Sequence, residues 1–123
     1  MPDGKICYLE IPAFDAEASA GFYSAVFGWK VRIRGDGARA FDDATGAVSG
    51  SWVVGRPPAR DPGILTYVMV DSIGATLQKV LAAGGQIGTP FTELGTAGEA
   101  YATFRDPVGN LFGLSNLTLS LGG

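Results

Sequence analysis

The stretch DPVGNLFGLSN, Asp106 to Asn116, decides how the rest of the chain is read. Asp-Pro and Gly-Asn mark a tight turn, and the apolar residues after it mark a strand. AYATFR, from Ala100, supplies the strand before the turn. The pattern occurs twice. Phe41, Asp43 and Gly46 recur as Phe104, Asp106 and Gly109 at the same spacing. Asp15 to Gly28 and Asp71 to Gly84 also repeat, each enclosing an apolar stripe at helical spacing. A helix and a hairpin that recur together point to two copies of one supersecondary unit.

Reading outward, KICYLEIPA predicts a strand over Ile6–Ile11, with Cys7 inside its apolar pattern as a small buried hydrophobe. Asp15 predicts an N-cap, Ala18, Phe22, Ala25 and Val26 a buried stripe, and Gly28 a C-cap. WKVRIR, ARAFD and AVSGSWVV predict three further strands. The second copy predicts a strand in ILTYVMV, an N-cap at Asp71, a helix with Ile73, Leu77, Val80 and Leu81 on one face, and closure at Gly84. GQIGTPFTEL reads as a strand interrupted by Pro90. The expected organisation is a single domain over residues 1–123. It comprises a β-α-β-β-β unit at 1–55, a Gly/Pro-rich linker at 56–62, a second unit at 63–118 and a tail at 119–123.

Composition narrows the function. The chain has 123 residues and a net charge of −3, so polyanion binding is a poor expectation and no nucleic-acid partner is predicted. No apolar run reaches the ~20 residues of a membrane span, and the first residues carry no basic-then-apolar leader pattern. The expectation is a cytoplasmic protein without a membrane partner. The chain has one cysteine and no histidine. That removes the common Ser-His and Cys-His nucleophile pairs and the commonest ligand of zinc and iron.

The helix segment FYSAVFGW (Phe22–Trp29), LAAGG (Leu81–Gly85) and FRDPVGNLFGL (Phe104–Leu114), in that order, resemble the vicinal oxygen chelate superfamily of glyoxalases, bleomycin-resistance proteins and extradiol dioxygenases. The resemblance implies an α+β fold, with two tandem β-α-β-β-β units forming a curved mixed sheet around a cleft and helices on the outer face. It also implies a homodimer. Metalloenzymes of that superfamily take one ligand from the first and last strand of each unit. Those positions fall on Tyr8, Gly50, Leu65 and Gly113 here, with Gly50 as the repeat partner of Gly113. Two glycines, a leucine and a tyrosine imply no metal, and no other cofactor is expected.

Side chains alternate across a strand. A cleft on the Tyr8 side therefore collects Tyr8, Glu10, Trp52, Leu65, Tyr67, Met69, Tyr101 and Thr103, with Cys7, Leu9 and Ile11 facing the helix. A mostly apolar, aromatic lining with few polar atoms is typical of small-molecule sites. Any one of these aromatics is as readily explained by core packing. Glu10 is the candidate general base, with Tyr8 beside it, because burial among aromatics raises a carboxyl pKa. The structural alternative is an ion pair to Arg39 or Arg32, or exposure at a sheet edge.

Three functions follow from the resemblance. The first is a bleomycin-resistance-like protein that binds a small, partly aromatic molecule without metal. The alternative is a metal-independent lyase or isomerase using Glu10, and a metal-dependent glyoxalase or dioxygenase comes last. RGD at Arg34–Asp36 reads as a hairpin turn, NLT at Asn116–Thr118 as an unused sequon, GTAG at Gly95–Gly98 as a loop, and Arg56 and Arg60 as linker residues within reach of a partner subunit.

Overall fold

The computed structural model describes residues 3–116. The end of the second unit beyond Asn116 and the tail at 119–123 lie outside the described residues, as does most of the NLT sequon. The chain divides into two compact units between Pro58 and Ala59. Residues of the predicted linker belong to one or the other. Arg56 pairs with Glu10 in the first unit, whereas Ala59 takes a hydrogen bond from Leu111 N–H and Arg60 carbonyl one from Arg105 in the second.

The first unit comprises β1 (Tyr8–Ala13), α1 (Ala16–Phe27), β2 (Lys30–Ile33), β3 (Arg39–Asp42) and β4 (Ser49–Val54). Its sheet order is β1-β4-β3-β2, with β1 and β4 parallel and the other pairs antiparallel. Asp15 caps α1, its Oδ1 accepting from Glu17 and Ala18 N–H at 2.9 and 3.3 Å. Gly28 ends the helix at φ 71°, a left-handed conformation that suits glycine. The buried stripe is Ser19, Ala20, Phe22, Tyr23 and Val26, while the predicted Ala18 and Ala25 are exposed. The aromatic mass of Tyr23 decides which side of the helix turns inward. Its ring stacks on Trp29 at 5.0 Å, Trp29 on Phe41 at 4.5 Å, and Phe41 meets Trp52 at 4.9 Å. Cys7 is exposed rather than buried, because β1 starts after it and the buried part of the strand is its other end, Ile11 to Ala13.

The second unit comprises β5 (Tyr67–Met69), α2 (Ile73–Ala82), β6 (Gln86–Ile87), β7 (Thr92–Glu93), β8 (Ala100–Arg105) and β9 (Leu111–Ser115). Its sheet order is β5-β9-β8-β6, with β7 also on β8. The segment around Pro90 therefore yields two short strands on one neighbour, since proline has no N–H for the ladder. Ser72, not Asp71, caps α2, its Oγ accepting from Ala75 N–H at 3.1 Å. Ile73, Thr76, Leu77 and Val80 face inward, and Leu81 is exposed. Phe104, Phe112 and Leu114 fill the core beneath that helix.

Both hairpin turns are built by an aspartate. Asp43 Oδ1 accepts from Thr45 and Ala47 N–H, and Asp106 Oδ1 from Val108, Gly109 and Asn110 N–H. Burial opposes the charge on Asp43, but the Thr45 hydroxyl and the surrounding backbone N–H groups outweigh it and hold its pKa below the usual carboxylate range. The turns differ in one respect that matters for the site. The first closes from Asp43 N–H to Val48 carbonyl and the second from Asp106 N–H to Asn110 carbonyl, so the first loop is one residue longer.

Candidate functional site

One extra residue moves every later side chain to the other face of a strand. Phe41 pairs with Gly50 where Phe104 pairs with Phe112, and Ala40 pairs with Ser51 where Thr103 pairs with Gly113. The structural partner of Gly113 is therefore Ser51, which corrects the expectation of Gly50. Gly50 and Trp52 face α1. A Cβ on Gly50 would strike the Leu9 carbonyl and the Phe41 ring. Trp52 is 3% exposed, packed against Tyr23 and Phe41, so it leaves the candidate set for the aromatic core.

The helix-free face of the first sheet carries Tyr8 and Glu10 on β1, Ser49 and Ser51 on β4, Ala40 and Asp42 on β3, and Lys30 and Arg32 on β2. It is polar, not an aromatic pocket. Glu10 is half-exposed, and its Oε1 accepts from Arg56 Nη2 at 2.8 Å. The burial that would have favoured it as a general base is absent, and its ion-pair partner is neither Arg39 nor Arg32. Arg39 approaches Glu17 of α1 at 3.8 Å on the opposite face, and Arg32 binds both oxygens of Asp42 at 3.1 and 3.3 Å. Asp42 also accepts from Ser49 Oγ at 2.6 Å, and the bonds from Arg32 and then Ser49 hold its pKa below the usual carboxylate range. Tyr8 Oη accepts from Arg34 Nη1 at 3.0 Å. Tyr8 stands on one edge strand and Arg34 just beyond the other, so this bond reaches across β4 and β3.

The helix-free face of the second sheet follows the expected alternation. Tyr67, Met69, Tyr101, Thr103 and Gly113 share it, and Leu65 precedes β5 in the same phase. Tyr67 is 49% and Met69 62% exposed, and Tyr101 is half-buried. Thr103 is buried, and its hydroxyl accepts from Thr89 N–H at 2.6 Å, so it holds the crossing segment near Gly88. The space beside Gly113 is not open, because the Tyr67 ring lies where a Cβ would stand.

Sequence reasoning placed Arg34 in a turn and Arg56 in the linker and missed their bonds to Tyr8 and Glu10. The alternation of Lys30, Arg32 and Arg34 was a usable signal for the first, hidden by reading RGD only as a turn. Arg56 follows Gly55 in irregular chain and had none.

A metal fits these residues poorly. The four superfamily ligand positions hold Tyr8 with a guanidinium at 3.0 Å from its oxygen, Ser51 after the register correction, Leu65, and Gly113 under a phenol ring. A cationic neighbour opposes a divalent ion, and leucine and glycine supply no side-chain donor. Among the described residues no three His, Cys, Asp or Glu side chains come together as a metal-binding group. No helix among them is long and apolar enough to cross a membrane.

Residues 5–114 match the family model described as Glyoxalase/Bleomycin resistance protein/Dioxygenase superfamily. A glyoxylase-like domain-containing protein of Didymella fabae is 31% identical over 114 residues, which cover 87% of this chain and 89% of that one. A putative glyoxylase, CFP32, of Mycobacterium tuberculosis is 30% identical over 115 residues. The match covers 87% of this chain but 43% of CFP32, so the chain spans less than half the length of that mycobacterial relative. In fold, the chain is similar to the fosfomycin resistance protein FosX of Listeria monocytogenes, with a TM-score of 0.79, 16% identity and 97% of each chain covered. A glyoxalase/bleomycin resistance protein/dioxygenase family enzyme of Burkholderia phytofirmans gives a TM-score of 0.74 at 21% identity, covering 91% of this chain and 98% of the other.

Proposed function

The chain belongs to the glyoxalase/bleomycin resistance protein/dioxygenase superfamily, and within it we propose a protein that binds a small, partly aromatic molecule without a metal of its own. One observation carries the proposal. The helix-free face of the second sheet presents Tyr67 and Met69 at 49% and 62% exposure beside Tyr101, while its other face is sealed under α2. Aromatic and thioether groups left open together favour a planar apolar ligand. The Tyr67 ring, resting on Gly113, is the stacking platform. On the first unit, Tyr8 takes a hydrogen bond from Arg34, and the part assigned to Glu10 is to hold Arg56 rather than to move a proton. A second copy of the chain is the expected protein partner. The exposed Ile64, Phe91 and Leu94 of the second unit support that expectation.

A thermal-shift screen of small aromatic compounds, run with a chelator, tests this. A ligand at ~100 times its Kd stabilises the native state by about 2.7 kcal/mol, a shift of several degrees. The expected result is such a shift, unaffected by the chelator and lost in Tyr67→Ala. Hits that disappear on chelation, or that survive Tyr67→Ala unchanged, would contradict the proposal.

A further inference from the structure

We infer that the helix-free face of the first sheet binds a small molecule through an anionic group, a carboxylate or a phosphate-type oxyanion. The inference rests on the reading of the chain as a small-molecule binder and concerns the first unit by itself. The chain as a whole is net −3, yet this face reverses the sign. Lys30 and Arg32 project from β2, Arg34 follows in the same alternation, and Arg56 joins them through Glu10. Three carboxylates, Glu10, Asp36 and Asp42, stand against these four cations.

The hydrogen bonds leave several donors over on this face, against Glu10 Oε2 as the carboxylate oxygen left over. Asp42 spends both oxygens on Arg32 and Ser49. Arg56 gives only Nη2 to Glu10 and keeps its remaining N–H groups. Arg34 spends one nitrogen on Tyr8 and one on Asp36, which fixes its plane. Tyr8 accepts from Arg34 through its oxygen, so its own O–H is left to donate. A guanidinium held in place by a carboxylate is preorganised for a second acceptor, and such charge-assisted bonds are among the strong ones. A cationic ligand would meet Arg34 and Arg56 first and is disfavoured.

Calorimetric titration at low salt with benzoate, inorganic phosphate and neutral benzamide tests the inference. Arg34→Gln and Arg56→Gln remove the proposed donors. Arg39→Gln removes a cation from the opposite face, and circular dichroism checks that each variant folds. The expected result is saturable benzoate binding, about tenfold or more weaker in Arg34→Gln and in Arg56→Gln, unchanged in Arg39→Gln, and stronger than benzamide. Phosphate binding of comparable strength assigns the site to oxyanions generally, and benzoate binding alone assigns it to aromatic carboxylates. If benzamide binds as well as benzoate in a Tyr67-dependent way, or Arg39→Gln weakens benzoate equally, the anion assignment is overturned and the small-molecule reading stands. If no probe binds, the anion assignment falls, and if the aromatic screen is also empty, both fall.

Discussion

Trp52→Ala is expected to lower the unfolding free energy by about 3–5 kcal/mol, among the largest losses from a single truncation in this chain. The ring is 3% exposed and touches Tyr23 and Phe41 in the aromatic stack beneath α1. Removing it opens a cavity that the sheet and helix cannot close. Its indole Nε1 is buried without a hydrogen-bond partner. Trp52→Phe therefore loses volume but also removes an unsatisfied donor, and it should cost less than about 1.5 kcal/mol. Denaturant titration of both variants measures the difference. Near-equal, small losses would place Trp52 outside the core and return it to the ligand-binding candidates.

Gly50→Ala is expected to cost about 2–3 kcal/mol, at the upper range of overpacking. The added Cβ meets the Leu9 backbone carbonyl and the fully buried Phe41 ring, and neither can yield without moving the sheet. Gly113→Ala supplies the comparison. The three atoms nearest its Cβ all belong to the Tyr67 ring, which is half-exposed and can move away. Gly113→Ala should cost about 1 kcal/mol or less in stability while weakening any ligand that stacks on Tyr67. Equal losses at the two positions would contradict the register that puts them on opposite faces. That comparison also checks Ser51 as the true counterpart of Gly113.

Much of the fold was legible because its signals are local. Asp15 as N-cap, Gly28 as C-cap and the two Asp-Gly hairpins each depend on a few residues whose hydrogen bonds stay within the turn. The second sheet's face was also legible, since a four-position turn and strict alternation carry Tyr67, Tyr101 and Gly113 to one side. The first sheet's face was misread for one physical reason. Counting residues between Asp43 and Gly50 cannot show that the loop closes at Val48 rather than one residue earlier, and that residue decides which way Trp52 points. The ion pair of Glu10 was foreseen in kind, but its partner was not legible, for a different reason. Its partner Arg56 lies 46 residues away in irregular chain, and only the folded unit brings the two to 2.8 Å.

On the proposed function, the positions that match the superfamily's metal ligands hold no metal in this chain. Metal content of the purified protein, measured after growth in metal-supplemented medium, tests it most directly. Tyr8 beside Arg34, Ser51, Leu65 and Gly113 under Tyr67 predict far less than one equivalent of zinc, nickel, iron, manganese or copper per chain. One equivalent of any of these, lost in Tyr8→Phe, would contradict a metal-free site.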